Sequence, residues 1–269
     1  VLRAVGISDA HGVVKPSRRA KYHQVEEFLR SLAPAVDDAL RTGLLRAPTP
    51  DDPLRVVDLG CGNAYLTFAA HRYLSATRGL DVALTGVDVK EASWRRNAEI
   101  AEALGISGSM TFVRDDISCV VVEPPPEIVL ALHACDTATD DALARAVEWG
   151  ASLILAAPCC HHDVAAQLHR AEAPAPYGLL TRHGILRERF ADTMTDALRG
   201  AVLRQLGYRV DVIEFVESKH TPRNTLLRAV RTGTAPSAAV RREFEDLTAS
   251  WGIEPRLAVL LAPRLPTGP

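Results

Sequence analysis

Three carboxylates and a glycine turn carry the first chemistry legible in this chain. Asp58 closes an apolar run, Val56-Val57-Asp58-Leu59, and leads into Gly60-Cys61-Gly62-Asn63-Ala64-Tyr65. A strand that enters a helix through two spaced glycines is where open α/β sheets hold nucleotide-like ligands. Gly60 and Gly62 let the backbone approach a ligand with no Cβ in the way. Asp58, at the strand end, suits a cationic amino group. A dinucleotide fingerprint requires a third glycine where this chain has Tyr65, so that ligand class is disfavoured. Asp88 follows the next apolar run and is placed to accept two ribose hydroxyls. Asp116, just before Ile117, follows the third, so an acid stands at the end of each of three successive strands. Asn63 in the turn and Ile117 beside Asp116 are the further candidate binding residues.

The pattern Asp-x-Gly-x-Gly-x-Ala resembles motif I of class I S-adenosylmethionine methyltransferases, with Ala64 in place of the usual last glycine. Two further segments sharpen the resemblance: Leu132-His133-Ala134-Cys135-Asp136-Thr137-Ala138-Thr139-Asp140 and Pro158-Cys159-Cys160-His161-His162. They are similar to a methyltransferase subfamily that includes tRNA 2′-O-methyltransferases and glutathione S-transferase C-terminal-domain-containing proteins. The likeness runs from about Lys15 to Arg231. It implies S-adenosylmethionine as cofactor, S-adenosylhomocysteine as product, and an RNA ribose hydroxyl or base as acceptor. His133 joins the cofactor set by the same likeness.

Methyl transfer at carbon asks the protein to position a nucleophile and, where needed, to take its proton. His161 and His162 are the expected bases, since imidazole titrates near neutrality. Asp136 is expected to hold the nucleophile. Glu217, in Glu217-Ser218-Lys219-His220, is the remaining catalytic candidate. Another ribose-methylating subfamily uses a Lys-Asp-Lys-Glu tetrad; Lys21 (or Lys15), Asp136 and Glu217 follow that order, with His161 near the missing lysine. The Asp/Asn-Pro-Pro-Tyr/Phe motif of amino-group methyltransferases is absent after the fourth strand, which disfavours base amines. Asp140 is expected to serve the start of the following helix, with Thr137 or Thr139 capping it. No metal is expected, a mixed site of Cys159 to His162 with Cys135 and His133 being the weaker alternative. Adjacent residues of an extended Cys-Cys-His-His run point to opposite sides, so the cysteines read as semi-buried packing residues around the pocket.

The elements that must carry these residues follow from periodicity. Ser17–Leu45 is helical, with Pro34 a break or restart, and the proline-rich stretch 47–53 is a linker. Strands at 55–59, 81–87, 111–114, 128–132 and 152–156 alternate with helices at 64–76, 91–104 and 139–148, the signature of a parallel sheet. A long helix over 183–206 precedes strands at 209–216 and 224–230, too close together for a crossover and therefore antiparallel. Residues 235–261 read as a closing helix and strand or a packed tail. The expected fold is α/β, a Rossmann-like seven-stranded mostly parallel sheet with an antiparallel last strand, helices on both faces and an N-terminal helical extension. Its divisions are 1–50 as cap and linker, 51–235 as cofactor-binding domain, and 236–269 as a C-terminal helix or tail.

The 269 residues are 47% hydrophobic, enough for one substantial core. Net charge of −2 and pI of about 6.5 do not mark a dedicated nucleic-acid protein. Five cysteines in this length do not form a disulfide framework. With no secretory signal and no bilayer-length apolar run, the cytoplasm is the expected compartment. Lys15, Arg18, Arg19 and Lys21 make a local basic stretch that could grip RNA phosphates, but aromatics for base stacking are scarce at 5%. A small-molecule acceptor under a helical lid near 174–201 is the alternative enzyme reading, and a non-catalytic cofactor-binding module the third.

Overall fold

The computed structural model describes residues 1–215, 224–234 and 237–266. Seven strands form one sheet: β1 (Leu54–Leu59), β2 (Val82–Val87), β3 (Met110–Val113), β4 (Ile128–Ala131), β5 (Leu153–Ala156), β6 (Tyr208–Glu214) and β7 (Thr225–Arg231). Their order is β3-β2-β1-β4-β5-β7-β6, so the last strand in sequence lies between its two predecessors. Strands β1 to β5 run parallel to one another, and β7 is antiparallel to both β5 and β6. The strand order reverses between β1 and β4, which opens a crevice outside their carboxyl ends.

Alternation along each strand divides the core between the two faces of the sheet. Val56 and Leu130 pack with Phe28 and Leu32 of α1 (Arg19–Arg41) and with Leu66 and Phe68 of α2 (Tyr65–Arg72). Their neighbours Val57 and Val129 face Leu143 and Val147, on a helix described below, on the other side. Strands buried on both faces read as continuous apolar runs, as Ile128-Val129-Leu130-Ala131 does. Helix α1 is one element despite Pro34 in its interior: Leu32, Ala35, Val36 and Ala39 bury one stripe, and tertiary packing outweighs the lost hydrogen bond.

The remaining helices are α3 (Glu91–Ala103), α4 (Thr137–Trp149), α5 (His162–Arg170), α6 (Gly178–Thr181), α7 (Gly184–Gln205), α8 (Ala238–Trp251) and α9 (Arg256–Leu260). A third cluster joins Val164 and Leu168 of α5, Met194 and Leu198 of α7, and Trp251 of α8. Among the described residues the C-terminal segment is helical and adds no strand, so it is the packed tail rather than the helix and strand. No helix among them is long and apolar enough to cross a membrane.

Candidate active site

The glycine turn is built as its residues require. Gly60 (φ +73°) and Gly62 (φ +54°) both adopt left-handed backbone, and a Cβ on Gly60 would lie 3.4 Å from the backbone of Ala134. Ala64 is left-handed too (φ +52°), an unfavourable state for a residue with a Cβ. Three hydrogen bonds with side chains hold the turn in place, beside those of its own backbone. Gly62 N donates to Asp88 Oδ2 at 2.8 Å, Asn97 Nδ2 donates to Gly62 O at 2.8 Å, and Arg96 Nη1 donates to Asn63 O at 3.3 Å. Asn97, fully buried on α3, was not expected from the sequence; an asparagine on an otherwise mixed helix face carries no signal of a partner on another element.

Asp58 is 1% exposed. Thr67 Oγ1 donates to its Oδ2 at 2.5 Å, while Oδ1 is buried without a partner. Burial, relieved in part by Thr67 and aggravated by the nearby Asp88 charge, pushes its pKa up to about 7. A buried carboxylate oxygen lacking a donor, beside a backbone turn, is a ready acceptor for an ammonium group.

The register puts Asp58 beside Gly86 and Leu130 and sets Asp88 one residue past the end of β2. Both Asp88 oxygens are engaged, the second accepting from Lys90 N at 2.8 Å, yet each keeps a lone pair for a further donor. Asp116 is exposed beyond β3, where its Oδ1 accepts from Ser118 N and Ser118 Oγ; those bonds hold its carboxyl below the usual range. Ile117, half-buried, packs against the second core cluster. The three acids therefore stand on neighbouring strand tips, Asp58 and Asp88 within electrostatic reach of each other.

His133 lies across the turn, its ring centroid 5.3 Å from that of Tyr65, with Nε2 buried and unpartnered. Burial and the Lys21 charge push its pKa down against the pull of Asp88. Lys21 Nζ sits 5.0 Å from the Tyr65 ring centroid, and Tyr65 Oη donates to Gln24. Helix α1 thus reaches the turn from outside the sheet, and a cleft of about 200 Å³ opens there between Arg18, Lys21, Asn63, Tyr65 and Arg96.

The histidine pair divides. His162 is exposed at the start of α5. His161 is 3% exposed, with Nε2 2.9 Å from Asp196 Oδ1 and Nδ1 3.1 Å from Asp192 Oδ1. Burial opposes protonation of His161, but the two carboxylates outweigh it and raise its pKa. Nε2 is hydrogen-bonded to Asp196, while Nδ1 faces Asp192 without hydrogen-bond geometry, so the surroundings favour a charged, positioning imidazolium. Asp196 also meets Arg199 Nη1 at 3.3 Å, and Arg199 clasps Asp140 through two bonds of 3.0 and 2.7 Å. Asp140 stands in the first turn of α4, as expected, and is also half of a buried ion pair; neither Thr137 nor Thr139 caps the helix. Thr139 Oγ1 donates instead to Ala134 O.

Asp136 has φ +54° and ψ −125°, backbone that favours glycine. Arg199 Nη2 donates to its carbonyl at 2.9 Å, and its Oδ1 accepts from Asp163 N at 3.1 Å, which ties the β4 loop to the first turn of α5. One oxygen of the expected nucleophile holder is thus committed to structure. Glu217 lies outside the described residues. Arg199, Asp192 and Asp196 escaped sequence reading because charged residues inside a long helix ordinarily signal a solvated face.

The cysteines are less sheltered than expected. Only Cys61 is buried; Cys135 and Cys159 are exposed and Cys160 half-buried. Cys159 borders a cavity of about 710 Å³ that also touches His161, Asp192, Ile185, Arg189 and Val212.

A methyltransferase-domain family model matches residues 20–167, over half of the chain. The chain belongs to this methyltransferase family. No curated protein sequence matches it. Solved structures similar to it include a magnesium protoporphyrin IX methyltransferase from Synechocystis with bound S-adenosylhomocysteine (16% identity, 86% of this chain and 92% of that one, TM-score 0.48). Another is an S-adenosylmethionine-dependent methyltransferase from Thiobacillus denitrificans (18%, 88% and 80%, TM-score 0.43). A third is a rRNA-methylase-like protein from Clostridium thermocellum (14%, 73% and 95%, TM-score 0.43).

Proposed function

We propose that the protein is an S-adenosylmethionine-dependent methyltransferase acting on RNA, at a ribose hydroxyl or base. The observation that carries the cofactor assignment is the buried, unpartnered Oδ1 of Asp58 beside a glycine turn whose left-handed backbone at Gly60 and Gly62 favours glycine. The residues fit the group: Asp58 takes the amino group, Gly60 and Gly62 flank the methionine portion, Asp88 accepts the ribose hydroxyls, and Asp116 with Ile117 meets the adenine. When bound, the sulfonium supplies an electrophilic methyl carbon. The chain's own part is to orient donor and acceptor in line and keep water out.

The RNA reading rests on the motif resemblance and on the basic cleft of Arg18, Lys21 and Arg96 beside Tyr65, which suits phosphate contacts. A small-molecule acceptor is the second reading, favoured by the 710 Å³ cavity under the start of α7, where Ile185 and Val212 are exposed. Incubation with methyl-labelled cofactor and either total RNA or a small-molecule extract separates them. Label in RNA that fades in K21A and R96A supports the first reading; label in the extract alone overturns it.

A further inference from the structure

Sulfur atoms from two strand tips meet beside this site. Cys135 follows β4, and Cys159 and Cys160 follow β5; the parallel register Ala131↔Ala156 brings both loops to the same height. Cys135 Sγ lies 2.9 Å from Cys159 Sγ, Cys159 Sγ lies 4.0 Å from Cys160 Sγ, and all three fall within 4.8 Å of one another. The expectation of no metal set aside both the run Cys159 to His162 and a mixed site of that run with Cys135 and His133. The fold instead takes two donors from that run and adds one from the neighbouring strand.

We propose that Cys135, Cys159 and Cys160 form a three-thiolate zinc site at the tips of β4 and β5, with the fourth position left to water or a substrate atom. Thiolates about 2.3 Å from a tetrahedral zinc stand roughly 3.8 Å apart, within the spread of these sulfurs. An all-sulfur donor set selects a soft d10 ion over magnesium or calcium. Three protein ligands with an open position are the usual composition of zinc sites that bind an exchangeable group. The scaffold is anchored independently of any ion: Arg199 grips the Asp136 carbonyl next to Cys135, and Asp136 in turn accepts from Asp163 N beyond Cys160. Cys135 and Cys159 are exposed, so an ion can enter, and Cys159 also borders the large cavity, so a ligand there can reach the ion. Coordination releases the thiol protons to solvent and changes no oxidation state.

The test uses the full chain, reduced, stripped with a chelator and titrated with zinc against a chromophoric competitor. About one zinc should bind per chain, cobalt should give a thiolate charge-transfer band, and the C135S/C159S/C160S variant should lose both. Loss of a ligand should weaken binding by more than the roughly 10–100-fold typical of outer-shell changes. If that variant does not fold, alkylation of the wild type decides: zinc should slow modification of these three cysteines and leave the exposed Cys119 reactive. Equal zinc uptake by the serine variant, no uptake by the reduced wild type, or zinc that protects Cys119 equally overturns the site. So does a Cys135–Cys159 disulfide that re-forms in protein unable to bind the ion once reduced. The readouts do not depend on methyl transfer, so the result stands apart from the acceptor question.

Discussion

Asp58 illustrates how one side chain can be costly to the fold and useful to the site. Its Oδ1 is buried with no donor, and its pKa sits near 7 because burial outweighs the Thr67 hydrogen bond. An arriving ammonium would supply the missing donor and drive the carboxyl to its charged form. Calorimetry in buffers of different ionisation enthalpy should therefore show proton release on cofactor binding below about pH 7, with affinity rising as pH rises toward that value and levelling off above it. Asp58→Asn should weaken binding by about 10–100-fold, the worth of a charge-assisted bond, and abolish the proton release. Unchanged binding would remove Asp58 from the site. Asp116, exposed and bonded to Ser118, has less to lose by substitution than Asp58.

Helix α7 supports the site through Arg199, 2% exposed, which holds Asp140 of α4, Asp196 of its own helix and the carbonyl of Asp136. Removing one partner of a buried pair leaves the others uncompensated, so Arg199→Ala should destabilise the protein by about 3–5 kcal/mol in denaturant unfolding. Arg199→Lys should recover only part of that, since an ammonium cannot make the two-pronged contact with Asp140. A loss below about 1 kcal/mol would mean that the network is solvated. The same network explains why the His161-His162 pair could not be divided by inspection. Which histidine is buried depends on how α7 docks on α5, a contact between segments distant in the chain.

At the scale of the whole molecule the buried acids and His161 bias stability toward mild acidity. Asp58 keeps in the folded state a proton that the unfolded chain releases above about 3.8, so stability falls as pH rises from there to about 7. His161, its pKa raised in the fold, contributes fully below the unfolded value of 6.5 and loses that contribution as pH rises through its folded value. His71 and His133, whose pKa values burial lowers, act in the opposite sense. The combined Asp58→Asn, His161→Gln variant should therefore gain in denaturation midpoint at about pH 8 relative to about pH 6, compared with the wild type, in the cofactor-free protein. An unchanged pH difference in that variant would contradict these assignments. Much of this architecture was legible in the chain: strand and helix periods, glycines where the backbone turns left-handed, and an acid after each of the first three strands are local properties of consecutive residues. The antiparallel last strand was legible too, because a short connection permits no crossover. The partners of Asp140 and His161, the unpaired oxygen of Asp58 and the gathering of three thiols were not. Each depends on which side chains from distant segments arrive at one point, and only packing of the helices against the sheet determines that.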